Sequence, residues 1–434
     1  GRRGRFSPVG VARAGRGDDN RAMGALQIAF LVDRFPVVTE TFILAQITGL
    51  LDRGYPVEIV ARSPAPPGPV PPEVHERDLL RRTVQVGIPL RRLGRIAKIL
   101  CGLPVLLVRR PGVVWRIGAR YLRDRTTPAI DALYFARALA GTGARYDVVH
   151  AQFGPLGSIA AVLRDAGVLG GKLVTSFRGY DLSLHVQQYG RDVYRHLLDR
   201  GDLFLAASDV FRARLVTELG ADPRKVVVHR SGIDLAPFAP PACPDRTRSA
   251  THVLTVGRLV EKKGVEYALR ALARVLPDHP DVTYAVIGDG PLRPRLQALA
   301  RDLPLADRVV FLGERTHAEV REQLARAALL VAPSVTAASG DEEGIPNVLK
   351  EAMAMGLPVI STRHAGIPEL VEDGVAGFLV PERDVEMLAA RIGELVADPE
   401  RARAMGRAGQ LHVRRHYDAR GLNDELVDLY NRLF

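Results

Sequence analysis

Cysteine is nearly absent from this 434-residue chain: only Cys101 and Cys243 occur, far apart. Two such cysteines build neither a disulfide framework nor a thiolate metal site, and they suit a reducing cytosol. Long apolar runs are missing too, since none reaches the roughly 18 residues needed to cross a bilayer. The first apolar run continues as "LVDRFPVVTE", without the G-x-G-x-x-G of a nicotinamide-dependent dehydrogenase. No Asp-x-Asp stands at a strand end, so neither a metal nor any other cofactor is expected. The first 22 residues lack the apolar core of a signal peptide. Residues 1–23 read as a disordered arm or as translation upstream of Met23, outside the fold.

Acids are in deficit: 49 Asp and Glu stand against 60 Lys and Arg, a net charge of +11. The excess is local. Between Arg81 and Arg125, twelve Lys or Arg face Asp124 alone, which already gives 12 − 1 = +11. Partners should therefore be anionic. The stretch mixes its arginines with apolar residues, Trp115 included, and Pro104 and Pro111 divide it. Short helices of this kind suit the surface of an anionic membrane. It holds no recognisable RNA- or DNA-binding module, and no nucleic-acid partner is expected.

What is present is a repeated α/β pattern. Apolar residues make up 47% and charged ones 25%, enough for two domains that each bury a core. "LQIAFLV" reads as a buried strand, "TFILAQITGLLDRG" as a helix ending on glycine, and "PVEIVAR" as the next strand. That is a βαβ unit and implies a parallel sheet. "YDVVHAQF", "GKLVTSF", "DLFLAAS" and "KVVVHRSGID" continue it. The pattern restarts with "HVLTVGRL", "VTYAVIGDG", "RVVFLGE", "LLVAPS", "PVISTR" and "AGFLV". The expected organisation is an α/β chain of two facing Rossmann-like domains with a cleft between them. The first spans 24–236 and the second 251–415, joined by a Pro-rich linker over 237–250. A last amphipathic helix over 416–434 is expected to pack back on the first domain.

One stretch carries a chemical puzzle. In "GDEEGIPNVLKEAMAMGLPVI", Pro346 fits the first turn of a helix, and the free amides there attract anions. Yet Glu342 and Glu343 precede that helix end and Glu351 follows. A phosphate could take the amides of the Gly344, Ile345, Pro346, Asn347, Val348 segment. The acids are then useful only if they accept hydrogen bonds from hydroxyls. A nucleotide sugar has this layout, with a diphosphate between two polyols. Eight residues of helix separate Glu343 from Glu351 by roughly 12 Å, longer than the about 5–9.5 Å between the carboxylates of glycosidases. In "VGRLVEKKG", Arg258 and one of Lys262 or Lys263 supply the cations that a leaving diphosphate needs.

Together, "GRLVEKKG", "VIGDGPLRPRL", "VVFLGE", "VAPS" and "EEGIPNVLKEAMAMGLPVISTRHAGIPELVEDGVAGFLV" resemble the retaining family 4 glycosyltransferases of GT-B fold. The resemblance runs from about Leu26 to the C-terminus. It implies that Glu343 and Glu351 form the family's acid–seven–acid element, on donor-sugar hydroxyls and on the ribose respectively. Arg258 and Lys263 match its diphosphate-binding pair, and Gly313 and Glu314 the loop near the base. "FPVVTETFILAQITGLLDRGYPV" and "HAQFG" are similar to transferases of colanic acid and other exopolysaccharides. In these the loop of Thr39, Glu40 and Thr41 faces the cleft. Many relatives carry a histidine where "TSFRGYDLS" has Arg178, which cannot act as a base at neutral pH. Arg178 is therefore assigned to phosphate or to an acceptor hydroxyl, Asp181 is placed beside it among the catalytic candidates, and His185 is assigned to the surface.

The function implied is transfer of a hexosyl group, with retention, from a nucleoside-diphosphate sugar to a hydroxyl of a lipid-linked saccharide in exopolysaccharide assembly. The expected place is the cytoplasm, peripheral on the inner face of the cytoplasmic membrane. The alternatives are a transferase acting on a soluble aglycone such as an aminocyclitol, and a nucleotide-sugar epimerase of the same fold.

Overall fold

A computed structural model of the chain describes residues 25–37, 40–65, 70–89, 104, 106–140, 145–238 and 251–434. The proposed N-terminal arm, Thr39, most of the linker and part of the basic segment fall outside these residues.

The first unit begins with β1 (Ile28–Phe35), α1 (Thr41–Asp52), β2 (Val57–Pro64), α2 (Pro72–Glu76) and β3 (Thr83–Gln85). It continues with α3 (Pro111–Arg123), α4 (Ala129–Leu139), β4 (Val148–Gln152), α5 (Gly154–Asp165) and β5 (Lys172–Phe177). After α6 (Leu184–Tyr189) and α7 (Arg195–Arg200) come β6 (Leu203–Ala206), α8 (Asp209–Thr217) and β7 (Val226–Val228). The seven strands pair in the order β3-β2-β1-β4-β5-β6-β7, all parallel.

The second unit starts with β8 (His252–Val256), α9 (Val265–Val275), β9 (Thr283–Ile287), α10 (Arg293–Asp302) and β10 (Val309–Gly313). Then follow α11 (His317–Arg326), β11 (Leu329–Ala332), α12 (Asn347–Ala354), β12 (Val359–Thr362), α13 (Ile367–Leu370) and β13 (Phe378–Val380). It closes with α14 (Val385–Ala397), α15 (Pro399–His416) and α16 (Ala419–Asn431). Its six strands run β10-β9-β8-β11-β12-β13, again parallel.

Each sheet is buried on both faces, as its continuous apolar strands require. Each also reverses its strand order once, between β1 and β4 and between β8 and β11. A ligand crevice lies outside the carboxyl ends of the strands at such a reversal. The loops after β1, β4, β8 and β11 are therefore the ones to inspect. Strand β3 has no counterpart among the strands read from sequence. It is three residues long and only partly buried, so it carries little apolar signal.

The last helix belongs structurally to the first unit. Leu426 and Tyr430 enter the core beneath β1 and β2, and Asn423 Nδ2 donates to Ala45 O at 3.1 Å. Two buried histidines, His150 within β4 and His229 just past β7, hold this helix. His150 sits between Tyr430 Oη at 2.7 Å and Ser176 Oγ at 2.8 Å, and His229 Nε2 meets Leu422 O at 2.9 Å. Burial pushes the imidazole of His229 down to about 4, so it serves as a neutral structural group. The returning chain also pairs with the departing one. Ile233 N donates to Tyr417 O and Ala419 N to Ile233 O, both at 3.0 Å.

Candidate active site

The cationic part of the site is built at the carboxyl end of β8. Gly257 leads into Arg258, and a short 3-10 turn over Glu261–Lys263 ends on Gly264 with φ of 64°. Only glycine fits there, because a Cβ would lie 1.8 Å from Pro333 O. Arg258 is exposed, and its guanidinium has no hydrogen bond or ion pair among the described residues. Lys263 Nζ lies 3.0 Å from Glu343 Oε2. Lys262 is the neighbour turned elsewhere, 3.1 Å from Asp341 and 4.0 Å from Glu343.

The acidic part follows β11. Burial alone would raise the carboxyl of Glu343, but Lys263 and then Lys262 outweigh it and hold the group below its ordinary range. Glu343 is therefore held as a carboxylate against Lys263. Glu342 instead reaches the first unit and forms an ion pair with Arg214 of α8 at 2.6 Å. Pro346 is the residue before α12 rather than its first turn: it has φ −59° and ψ 129°, and Asn347 opens the helix. No side chain caps that start. The side chains of Ile345 and Val348 pack against the core of the second unit.

Glu351 is buried on the first turns of α12. Burial raises its carboxyl, opposed by His317 at the start of α11 and by Lys350. Gly313 ends β10 with φ of 72°, and Glu314 is exposed beside it. Two strands separate β10 from β11, so Gly313 and Glu314 lie toward the sheet edge, away from Glu343.

The first unit brings its own switch-point loops to the same place. Thr41 Oγ1, at the start of α1, accepts from Asn347 Nδ2 at 3.2 Å, directly across the cleft. Glu40 precedes it in a half-buried position, and burial, followed by the charge of Asp33, pushes its carboxyl up to about 7. A Cβ on Gly344 would stand 2.7 Å from Arg178 O. The units thus touch at glycine, the one residue that permits so close a backbone approach.

Arg178 and Asp181 are placed differently from the assignment made on sequence. The Asp181 carboxyl is 0% exposed and accepts from three amides: Arg178 N at 3.0 Å, Gly179 N at 2.9 Å and Gly154 N at 3.1 Å. It ties the β5 loop to the β4 loop and does not reach the cleft. The Arg178 guanidinium lies over the Phe42 ring at 4.3 Å and donates to Gln152, Gln46 and Ser231. Burial lowers it to about 10, which leaves it a cation at neutral pH. His185 is not a free surface group: its ring stacks on Tyr194 at 5.6 Å.

Lys350 escaped the sequence reading. It is fully buried within α12, and its Nζ donates to Ser231 O at 2.7 Å. A lysine among Val348, Leu349, Ala352 and Met353, all inward-facing, was the available signal. His364 and Glu382 were missed as well, although "STRHAGIPEL" places a histidine one residue past a strand end. Among the described residues, no group of three His, Cys, Asp or Glu is placed to hold a metal ion.

Two facing parallel-sheet units, each with its switch-point loops at a shared cleft, define a glycosyltransferase of the GT-B class. Residues 39–237 match the profile described as Glycosyltransferase Family 4, and residues 250–398 that of Glycosyl transferases group 1. The chain belongs to glycosyltransferase family 4. It is 34% identical to the putative colanic acid biosynthesis glycosyltransferase WcaL of Salmonella typhimurium, over 93% of this chain and 99% of that one. It is also 34% identical to the amylovoran biosynthesis glycosyltransferase AmsK of Erwinia amylovora, over 84% and 89%. The crystal structure of Anabaena Alr3699/HepE in complex with UDP-glucose shares the fold, with a TM-score of 0.68 at 19% identity, over 94% of this chain and 100% of that one.

Proposed function

We propose that the protein transfers a hexosyl group from a nucleoside-diphosphate sugar to a hydroxyl of a lipid-linked saccharide, with retention, in exopolysaccharide assembly. The observation that carries this reading is the convergence at the β8/β11 switch point. There the Lys263–Glu343 pair joins the loop after β8, which also carries Arg258, to the segment that leads into the uncapped start of α12. Cations and amides suit a diphosphate, and Glu343 and Glu351 suit the polyols on either side of it. The names of the relatives above, and the ligand of the structural neighbour, favour the same substrates and pathway.

In this reading the acceptor hydroxyl bonds to the anomeric carbon as the bond from that carbon to the phosphate oxygen breaks. Both events occur on one face, through an oxocarbenium-like state. The departing phosphate oxygen receives the hydroxyl proton. Arg258, Lys263 and the α12 amides stabilise the charge that grows on the diphosphate, and the buried Asp181 and Arg178 position the loops beneath it. Release of nucleoside diphosphate should therefore require an acceptor and persist in chelator. Release that ignores the acceptor, or that chelator abolishes, would defeat the proposal.

The lipid-linked acceptor accords with the surface of α3. Val113 and Ile117 face inward, while Trp115 is 76% and Leu122 70% exposed, among arginines. No helix of the described residues is long and apolar enough to cross a membrane. Vesicles containing phosphatidylglycerol should sediment the protein at low salt, and Trp115→Ala should weaken this several-fold, by about 1–2 kcal/mol for loss of a partly buried aromatic. Failure to sediment at low salt would remove the membrane from the reading, and equal sedimentation by wild type and variant would remove Trp115 from the contact.

A further inference from the structure

The loop that carries Glu343 is fastened at both ends by one pair of side chains, a buried histidine and a half-buried glutamate. His364, 2% exposed, lies just past β12. Its Nε2 accepts from Glu343 N at 3.0 Å, and its Nδ1 meets Glu382 Oε1 at 2.6 Å. Glu382 lies just past β13. Its Oε2 accepts from Thr336 N at 2.9 Å, and its Oε1 faces Thr336 Oγ1 at 3.3 Å. Thr336 begins the turn that follows β11 and Glu343 ends it. The partners fix the imidazole tautomer, because an amide N–H needs an acceptor at Nε2 and a carboxylate needs a donor at Nδ1.

We propose that His364 and Glu382 are positioning residues for transfer, which set the place of Glu343 relative to Lys263 and the donor sugar. The inference rests on the reading of Glu343 as a donor-sugar ligand. Between Thr336 and Glu343 the chain turns through Gly340 at φ 79°. Such a segment holds a carboxylate in one place only if both of its ends are fixed. Lys262 and Glu261 hold its middle, through Asp341 at 3.1 Å and Ala338 N at 2.9 Å. Among the described residues, the one hydrogen bond of the Glu343 backbone goes to His364, which Glu382 orients. Neither side chain of the pair contacts Lys263 or Arg258, so its influence on transfer passes through loop position.

The test uses the full chain and the member of a panel of UDP-glucose, UDP-galactose and GDP-mannose that it turns over. His364→Ala should lower kcat/KM about 10- to 100-fold, the cost of a misplacement near 1 Å. Affinity for the matching nucleoside diphosphate alone should be kept. His364→Gln, whose amide oxygen reaches the place of Nε2, should restore part of the loss. In a Glu343→Gln background, His364→Ala should cost nothing further.

Equal losses in both backgrounds would mark a general structural role and overturn the proposal. So would a well-folded His364→Ala chain with unchanged kcat/KM. If that variant does not fold, the same comparison with Glu382→Gln decides. Full activity in Glu343→Gln alone would instead overturn the donor-site reading, and the positioning role with it.

Discussion

Replacing Arg258 or Lys263 by alanine is expected to cut turnover about 10²- to 10³-fold, or about 3–4 kcal/mol of transition-state stabilisation, while the donor KM moves far less. The reason is where the charge develops. A bound nucleotide sugar already carries a charged diphosphate, but the bond to the anomeric carbon adds negative charge as it breaks. Groups that meet that added charge act mainly on turnover. Arg258 has no competing partner among the described residues, so its full charge is available to the substrate. Lys263 is paired with Glu343 at 3.0 Å before any ligand arrives. The pair keeps the lysine in place and keeps Glu343 ionised, so both groups are preorganised. Steady-state kinetics on the two variants check this. A rise in KM at constant turnover would mean that the cations bind ground state and transition state alike.

The second large effect concerns stability and comes from Lys350. Burial, opposed only partly by Glu351, brings this amine down to about 7, from the ordinary 10.5. Between those two values the unfolded chain binds a proton that the folded chain has released. Stability should therefore rise with pH across that window, by at most about 5 kcal/mol. Below pH 7 both states hold the proton, and the cost of burying the charge is fully present. The contact to Ser231 O survives deprotonation, because a neutral amine still donates. Urea melts between pH 6.5 and 9.5 should show this rise in the wild type and lose it in Lys350→Met. The groups with folded values near or below 7, Glu40 and His229, titrate at the lower edge or outside that range. Parallel curves for the two proteins would show that Lys350 is not a desolvated cation.

The domain arrangement also bears on the transfer. Glu369 accepts from Asp209 N at 3.0 Å and Val210 N at 3.2 Å, so a second-unit carboxylate caps a first-unit helix. With Arg214–Glu342 and Asn347–Thr41, this bridges the two units beside the switch-point loops. These contacts are polar and between loops or helix ends, and polar contacts of this kind can exchange partners as the units move.

The amino-acid sequence by itself determined the two-sheet architecture and the placement of Arg258, Glu343, Gly344 and Glu351. These follow from local pattern. Apolar runs of strand length, separated by helical periodicity, impose parallel sheets, and a strand-to-helix turn puts its residues at the sheet's carboxyl edge. Only the tertiary structure decided which partners each charged side chain finds. Asp181 and Arg178 occupy a motif position that reads as chemistry, yet burial and three backbone amides consume the one carboxylate. Lys262 and Lys263 are adjacent in sequence, and the turn over Glu261–Lys263 alone separates their directions. His364, Glu382 and Thr336 come from three different strand ends, so no spacing along the chain could reveal that they meet. Hydrogen-bonding capacity belongs to the residue type, but its use depends on neighbours that only folding supplies.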